Sequence, residues 1–491
     1  MRIPLLCLAA LLVTTGAARR PAPLPVELDR TIARAKDFSS AFLGMKVVRL
    51  SDGKILYQRN ENRLFIPASN TKLFTTALAL KRLGPDYRFV TSIFASQPVD
   101  ANGTLHGDLV LIGRGDPTLS ARPYPYAKEW TDEESVPAIA QMADQLVAGG
   151  LRAIQGDVVG DDTRYPWHPY PAGWGMDDGT YEYGAPVSAL VVHDNMFNLT
   201  VDAGAAEGEF AQVYVQPRFE FFSVDNMVRT VAGDENKVHI EGRPGIPEIR
   251  LWGTLGVGKR DVTPLAISDP AQFAAAVLRE ELTRRGVAAR GNAVARHRLR
   301  EDSVPPDASG VELVRRVSPP LSQLLQVVDK VSENLHAEVM LREVGAVRRN
   351  QGSGEAGLAE MRDFLTEIGI ADDQYRLMDG SGMSRTTLVS PQAITKLLAF
   401  MYSSPDREQW MGLLPVGGED GTLRKRFKGH SEASAIHAKT GSLGSVRALS
   451  GYVDSKRYGM LAFSVLLNNY LAKDAEVALF IDTIGLKLVG K

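Results

Sequence analysis

Residues 67–80 read Pro-Ala-Ser-Asn-Thr-Lys-Leu-Phe-Thr-Thr-Ala-Leu-Ala-Leu. The stretch opens with a proline and is mainly apolar after Lys72, a pattern typical of a buried helix with an exposed first turn. Residues three apart lie on the same face of a helix, so the amine of Lys72 can be held beside the hydroxyl of Ser69. A serine hydroxyl is a poor nucleophile unless a base lies within hydrogen-bond reach. One turn therefore supplies a candidate nucleophile, Ser69, and a candidate base, Lys72.

Two shorter motifs follow along the chain, Ser332-Glu-Asn334 and Lys439-Thr440-Gly441-Ser442. A lysine that acts as a base must lose its proton, and a second cation nearby makes that loss easier. We therefore expect Lys439 to lie beside Lys72, with its remaining charge free to attract a substrate carboxylate. The residues after Ser442 resemble a strand edging an active site, and Gly441 leaves room for a substrate backbone to approach.

A fourth stretch, Ser51-Asp-Gly-Lys54, has the spacing of the first motif. Its Asp52-Gly53 pair lies between two β-like runs, which predicts a hairpin turn and not the start of a helix. We therefore set this copy aside. The other three motifs occur in one order and each in a fitting local context, which indicates a serine acyltransferase active site.

The ordered motifs are those of penicillin-binding proteins, and the chain resembles their low-molecular-mass class C members, the D-alanyl-D-alanine carboxypeptidases/endopeptidases. Four further stretches carry the resemblance: residues 108–119, 156–162, 183–190 and 379–385. In the compact β-lactamases the second motif follows the first closely, whereas residues 70–331 separate them here. The resemblance implies an α/β fold, in which a penicillin-binding-protein/β-lactamase-like transpeptidase domain, an antiparallel sheet flanked by helices, is interrupted by a large β-rich insert.

The resemblance also implies a mechanism that needs no metal or cofactor. Ser69 would be acylated by the carbonyl of a D-alanine in a peptidoglycan stem peptide, the terminal residue would leave, and water would hydrolyse the acyl-enzyme. The backbone N–H groups of Ser69 and Ser442 would form the oxyanion hole. The carboxylate of the departing residue would be held by Lys439 and by the hydroxyls of Thr440 and Ser442. Gly441, between these two hydroxyls, would leave room for the substrate backbone. β-Lactams mimic the D-Ala-D-Ala end and would trap Ser69 as covalent inhibitors.

For the second motif, the resemblance places the Ser332 hydroxyl beside Lys72 and Lys439, as a proton relay to the leaving amine. It places the Asn334 amide on the peptide backbone of the substrate. The residues alone leave another role open for Ser332, that of a helix cap.

Two features of the predicted insert are candidates for substrate contacts. The resemblance suggests that Asp162 meets the free amine of the stem peptide's diamino acid, as a charge-assisted contact, although an Asx turn explains this residue equally well. The aromatic loop between Tyr165 and Tyr183 could stack on sugars, but aromatic and proline residues commonly pin long loops, so packing is favoured. In the catalytic part, Arg385 lies in a Gly/Ser-rich turn that we expect at the pocket edge.

The pattern of elements predicts the domain organisation. We expect a signal peptide over residues 1–18, a discontinuous catalytic domain over 19–90 and 300–491, and an inserted β-rich region of two subdomains over 91–299. Helical patterns cover residues 321–344, 354–368 and 474–488. Strand patterns cover residues 89–94, 109–112, 158–159, 190–192, 212–215, 237–240 and 248–252.

Composition sets the outer limits. The chain has 491 residues, 44% of them hydrophobic, and a formal net charge of −2, which describes a soluble globular protein of two or three domains without the basic surface that nucleic acid requires. Arg2, the apolar run and the small residues up to Ala18 form a secretory signal, which predicts export to the periplasm. Cleavage there also removes Cys7, the single cysteine. We expect the 474–488 helix to pack on the sheet; the alternative is a peripheral contact with a membrane surface.

Two other functions fit the same features. One is a cell-wall binding protein whose acylation site is vestigial, and the other is a related serine esterase or amidase. The sequence does not distinguish trimming of terminal D-alanine from cleavage of cross-links, because both reactions break a bond between two D-centres. It gives no indication of oligomeric state.

Overall fold

The computed structural model describes residues 22–35, 38–130, 136–217, 221–300 and 309–490. The helices are α1 (Leu24–Arg34), α2 (Lys72–Leu83), α3 (Pro137–Ala148), α4 (Pro270–Arg284), α5 (Leu321–Lys330), α6 (Asn334–Arg349), α7 (Gly354–Glu367), α8 (Pro391–Tyr402), α9 (Arg407–Leu413) and α10 (Asp474–Val489). The strands are β1 (Phe42–Arg49), β2 (Ile55–Arg59), β3 (Val90–Ala95), β4 (Thr104–Leu105), β5 (Leu109–Ile112), β6 (Asp116–Leu119), β7 (Ala153–Ile154), β8 (Val158–Pro166), β9 (Leu190–Val192), β10 (Met196–Asp202), β11 (Gln212–Gln216), β12 (Ser223–Val231), β13 (Asn236–Arg243), β14 (Ile246–Gly256), β15 (Arg260–Ala266), β16 (Ala288–Ala289), β17 (Ala293–Arg298), β18 (Val311–Val317), β19 (Tyr375–Arg376), β20 (Leu388–Val389), β21 (Ile436–Leu443), β22 (Val446–Ser455) and β23 (Gly459–Asn468).

An antiparallel sheet with the order β2-β1-β23-β22-β21 joins the two ends of the chain. Alternate residues of its strands point to opposite faces, so each face can bury its own apolar cluster. One face packs on α1 and α10, and the other on α2 and α8. The β1–β2 hairpin at Asp52-Gly53 is present as predicted, and so is the antiparallel sheet flanked by helices.

Helix α2 is buried along most of its length, from Lys72 to Leu80. A helix that is apolar on all sides lies in a protein interior, which fits its place among α5, α6, α7 and α8. The motif serine lies just before it, in a 3₁₀ turn over Ala68–Thr71. The predicted buried helix is confirmed, but the predicted exposure of its first turn is wrong, because Ala68, Asn70 and Thr71 are buried and Ser69 is half-buried.

The helical pattern over residues 321–344 is interrupted at the second motif. The chain forms two helices, α5 and α6, with a break at Val331–Glu333. Ser332 has a φ of 70°, in the left-handed region that side-chain-bearing residues seldom adopt, so the α-helix cannot continue through it. Glu333 caps α6 by accepting a hydrogen bond from the Leu335 N–H at 3.4 Å. The cap is therefore Glu333 and not Ser332.

The β-rich part is built on the sheet β17-β8-β5-β3-β18, which α3 and α4 cover. All seven predicted strand patterns fall on strands, although β8, β13 and β14 extend well beyond their predictions. Strand β18 pairs with β3, so this sheet continues past residue 300, where the predicted insert ends. The domain boundaries themselves stay a prediction.

The β-rich part is anchored to the catalytic helices through Glu343 of α6, whose carboxylate is 1% exposed. It accepts hydrogen bonds from Arg164 at 2.6 and 2.8 Å and from the Tyr165 hydroxyl at 2.9 Å. The Tyr87 hydroxyl also donates to it. Because Glu343 and Asn334 belong to one helix, this buried network fixes the orientation of the element that carries the second motif.

The C-terminal helix α10 packs on the outer face of the antiparallel sheet, as predicted. Across the part of the chain that the structure covers, no helix combines the length and apolar character needed to cross a bilayer. The predicted signal peptide over residues 1–18, including Cys7, lies outside the described residues.

Candidate active site

The nucleophile turn is wedged against strand β21. The Asn70 side chain donates a hydrogen bond to the backbone oxygen of Lys439 at 3.0 Å. A Cβ atom on Gly441 would lie 2.6 Å from the Pro67 oxygen, so this close approach requires glycine at that position. Ala68, directly before the serine, has a φ of 48°. Backbone strain of this kind is concentrated at functional sites, where the surrounding structure enforces it.

Lys72 is fully buried, and its amine contacts three oxygen atoms. It lies 3.0 Å from the Ser69 hydroxyl, 2.6 Å from Asn334 Oδ1 and 2.8 Å from the Ser381 backbone oxygen. Burial lowers the pKa of Lys72 to about 8, against the opposing effect of nearby carboxylates such as Asp379. About a tenth of the Lys72 side chains are then neutral at pH 7. The predicted pair of a serine and a lysine that can lose its proton is present.

Ser332 and Lys439 form the second half of the site. The Lys439 amine, which is also fully buried, donates to the Ser332 hydroxyl at 2.8 Å and to its neighbouring Thr440 oxygen at 3.0 Å. Burial lowers the pKa of Lys439, and the charge of Lys72 lowers it further. The charge of Lys72 thus acts on Lys439, as expected for neighbouring lysines. The hydrogen bond of Ser332 is to Lys439, whereas Lys72 contacts Asn334.

The Asn334 amide is held by the protein on both sides. Its oxygen accepts from Lys72, and its nitrogen donates to the Tyr183 backbone oxygen at 2.8 Å. This places Asn334 next to the amine of the candidate base and ties the aromatic loop to the site. The Thr440 hydroxyl contacts that of Thr422 at 2.8 Å, and Ser442 is exposed at the end of β21.

Sequence reasoning missed the support that two residues, Glu338 and Ser381, give to Lys72. Glu338, 1% exposed, accepts hydrogen bonds from the Gly380 and Ser381 N–H groups at 2.9 and 2.8 Å. It thereby fixes the turn whose Ser381 oxygen contacts Lys72. The signal was available, because Glu338 lies four residues after Asn334 and so on the same face of α6.

Asp162 does not fit the role that the resemblance suggested. Its side chain is 2% exposed, and its two oxygens are engaged by the Ser188 hydroxyl at 2.8 Å and His297 Nδ1 at 2.9 Å. Burial opposes a charge on His297, yet the hydrogen bonds to Asp162 and Asp269 raise its pKa to about 10. The carboxylate already has a cationic partner inside the protein and is closed to the amine of a ligand.

The aromatic loop packs on the protein, as favoured above. The Trp167 ring stacks on His297 with centroids 4.0 Å apart, and the Trp174 indole N–H donates to Asp379 at 3.1 Å. Asp379 belongs to the turn that carries Ser381, so the loop forms one wall of the site. Arg385 is exposed at the other end of this turn and contacts the Gly444 oxygen, beyond Ser442, at 3.4 Å.

Comparison with known proteins agrees with this geometry. The chain is 34% identical over 443 residues to a D-alanyl-D-alanine carboxypeptidase of Actinomadura sp. (strain R39), an alignment that covers 88% of this chain and 78% of the relative. It is 25% identical to D-alanyl-D-alanine carboxypeptidase DacB of Haemophilus influenzae, with 88% and 87% covered.

Its fold is similar to the crystal structure of penicillin binding protein 4 (dacB) from Haemophilus influenzae, with a TM-score of 0.80, 23% identity and coverage of 94% of this chain and 99% of the other. Residues 24–483 match one family along almost the whole described chain. This protein belongs to the D-Ala-D-Ala carboxypeptidase 3 (S13) family and is a serine D-alanyl-D-alanine peptidase of the penicillin-binding-protein fold.

Proposed function

We propose that this enzyme is exported and cleaves D-Ala-D-Ala ends and cross-links of peptidoglycan stem peptides through an acyl-enzyme on Ser69. The observation that carries the proposal is the placement of Lys72 Nζ 3.0 Å from Ser69 Oγ, with a second buried lysine bonded to Ser332. This arrangement supplies a nucleophile, a base for its proton and a separate proton route to the leaving group.

In acylation, Ser69 Oγ attacks the carbonyl carbon of the penultimate D-alanine while its proton passes to the neutral amine of Lys72. The C–N bond to the terminal residue then breaks, and the departing nitrogen takes a proton from the Ser332 hydroxyl. Lys439 donates a hydrogen bond to the Ser332 oxygen, so the hydroxyl proton of Ser332 points elsewhere and is available to the leaving group. Ser332 recovers a proton from the lysine pair, and water hydrolyses the ester.

The remaining motif residues hold the substrate. The backbone N–H groups of Ser69 and Ser442 stabilise the developing oxyanion, a contribution of about 3 kcal/mol for one such donor. The Lys439 ammonium attracts the terminal carboxylate, with the hydroxyls of Thr440 and Ser442 at its sides and Gly441 leaving space for the peptide backbone. The Asn334 amide, now bonded to Lys72 and Tyr183, exchanges the Tyr183 oxygen for a carbonyl oxygen of the substrate, to which its nitrogen donates.

Penicillin and other β-lactams acylate the same serine, because their strained amide occupies the position of the scissile bond. In support, the Haemophilus influenzae penicillin binding protein 4 has been solved in complex with a β-lactam, and its fold is similar to that of this chain with a TM-score of 0.74. The signal-like first 18 residues and the cell-wall substrate of the family support a periplasmic location.

Turnover of matched substrates tests the proposal. A stem peptide that ends in D-Ala-D-Ala should release D-alanine, the same peptide that ends in D-Ala-L-Ala should not, and a Ser69→Ala variant should release none. Cleavage of a cross-linked peptide dimer, assayed in parallel, measures endopeptidase activity. Hydrolysis of a simple ester without release of D-alanine would instead identify an esterase, and no turnover of any substrate would identify a vestigial binding protein.

A further inference from the structure

Three consecutive residues in the β-rich part have a backbone conformation that side-chain-bearing residues seldom adopt. His193, Asp194 and Asn195, between β9 and β10, each have a φ of 52°. Such strain persists only where the surrounding structure enforces it. The Asn195 side chain holds the turn, because it accepts a hydrogen bond from the Val192 N–H at 3.0 Å and donates one to the Pro186 oxygen at 3.1 Å. The turn thereby places the Asp194 carboxylate against α6.

The buried Asp194 carboxylate receives hydrogen bonds from two other elements. His336 Nε2, on α6, donates to one oxygen at 3.1 Å. The Arg122 guanidinium, shortly after β6, donates to the other oxygen. Burial raises the pKa of Asp194, but Arg122 and His336 hold it below its ordinary value. Asp194 is therefore ionised and fixes the position of the Arg122 guanidinium.

The same guanidinium reaches the second motif. Arg122 Nη2 lies 3.4 Å from Glu333 Oε2, and Glu333 stands between Ser332 and Asn334 in the chain. The face of the guanidinium lies over the Trp130 ring, 4.9 Å from its centroid. Because its edges meet two carboxylates and its face meets an aromatic ring, Arg122 is engaged by the protein and links the β-rich part to the second motif.

The bend between α5 and α6 needs support from such a contact. Ser332 has a φ of 70°, and in this conformation its hydroxyl accepts a hydrogen bond from Lys439 at 2.8 Å. The next residue, Glu333, contacts the Leu335 N–H at 3.4 Å and Arg122 at 3.4 Å. The first of these contacts is local to α6, whereas the second ties the strained bend to another part of the molecule.

We propose that Arg122, held by Asp194, is a positioning residue that fixes Glu333 and so keeps Ser332 in the conformation from which its hydroxyl protonates the leaving amine. The inference deepens the proposed function and rests on the role given there to Ser332. Without Arg122 the bend relaxes, and Ser332 delivers its proton less effectively. Attack by Ser69 does not need that proton, so a defect in its delivery can be measured separately.

The test compares kcat/KM for two substrates that form the same acyl-enzyme. One is an N-acylated stem peptide that ends in D-Ala-D-Ala, and in the other D-thiolactate replaces the terminal D-alanine, so that a thioester replaces the scissile amide. An amine must be protonated to leave, whereas a thiolate, whose thiol has a pKa of about 8.5, leaves without a proton. General acid catalysis contributes roughly 10²- to 10⁴-fold, so Arg122→Ala should lower kcat/KM by about 10-fold or more for the amide and by less than about 2-fold for the thioester.

A second variant and a matched control keep the test decisive. The double variant Arg122→Met with Asp194→Asn removes both buried charges together, so that neither is left unpaired, and should show the same selective loss. The double variant Arg316→Met with Asp116→Asn removes another buried pair of the β-rich part, which joins β18 to β6 with an N–O distance of 2.7 Å. This control should leave the ratio of the two kcat/KM values unchanged.

Ser332→Ala sets the scale, because it should lose activity on the amide selectively. An equal loss for both substrates in the folded Arg122 variants, or no loss for either, would overturn the inference, since a residue that only supports the fold or only contacts the substrate would act on both alike. An equal loss for both substrates in Ser332→Ala would instead overturn the proton route through Ser332. Failure of wild type to turn over either substrate would overturn the proposed function as a whole.

Discussion

Replacing Lys72 with methionine should change how the stability of the protein depends on pH. Methionine keeps an unbranched side chain in the same space but carries no charge. In the folded protein the pKa of Lys72 is lowered from 10.5 to about 8 because the amine is fully buried. A lowered pKa means that the unfolded chain binds the proton more tightly than the folded one, so stability rises with pH between the two pKa values.

The size of the effect follows from that shift. At about 1.4 kcal/mol per pKa unit, the charged form of Lys72 costs the folded state about 3 kcal/mol at pH 7, and this cost disappears as the pH approaches 10.5. Wild type should therefore gain about 3 kcal/mol in free energy of unfolding relative to Lys72→Met between pH 7 and pH 10.5. Removing the Lys72 charge also raises the pKa of Lys439, which flattens the variant's profile further.

Urea unfolding followed by tryptophan fluorescence measures both proteins at each pH. Methionine leaves three oxygen atoms without a donor, which lowers the free energy of unfolding of the variant by a nearly constant amount at every pH. The test is therefore how the difference in free energy of unfolding between the two proteins changes with pH. Ser69→Ala is the matched control, because it alters the same site without removing a charge, and its difference from wild type should stay constant. A Lys72→Met difference that also stays constant within about 1 kcal/mol would refute the reasoning that burial depresses this pKa.

Three further substitutions test the site and its support. Gly441→Ala should lower the free energy of unfolding by about 1–3 kcal/mol and slow acylation by penicillin, because the added Cβ would lie 2.6 Å from the Pro67 oxygen. Gly412→Ala on α9 is the control, because its Cβ would meet nothing within 4 Å, and it should change neither quantity. Glu343→Gln should lower the free energy of unfolding by about 3–5 kcal/mol, whereas Asp225→Asn, which breaks an exposed pair with Arg250, should cost less than about 1 kcal/mol. A small loss for Glu343→Gln would mean that the β-rich part is held in place by other contacts. Asn334→Ala should lower kcat/KM for D-alanine release by about 10- to 100-fold, since it removes a hydrogen bond to a charged lysine, and unchanged kinetics would exclude Asn334 from the site.

Local sequence rules predicted the parts of this site that depend on spacing within one element. The three-residue separation of Ser69 and Lys72 places their side chains 3.0 Å apart because a helical turn brings such residues together. The hairpin at Asp52-Gly53 and the packing of α10 followed from turn chemistry and from an apolar face. The depressed pKa of Lys72 was expected because a base lysine must lose its proton, and its largest cause is burial.

Features set by tertiary structure were not predicted. The left-handed conformation of Ser332 between α5 and α6 was not predicted, because a positive φ at a residue other than glycine depends on the surrounding fold. The resemblance suggested a ligand contact for Asp162, with an Asx turn equally open, because the sequence does not distinguish a carboxylate that faces solvent from one bonded to His297. The support of Lys72 by Glu338 and Ser381 depends on two segments that only the folded chain brings together.

The intact mass of the purified protein after incubation with a penicillin tests the central claim most directly. Wild type should gain the mass of one penicillin, and Ser69→Ala should gain none. A Ser51→Ala variant, which alters the chance copy of the motif in the β1–β2 hairpin, should be acylated like wild type. An adduct that persists in Ser69→Ala, or a folded wild type that gains no mass, would contradict the assignment of Ser69 as the acylated nucleophile.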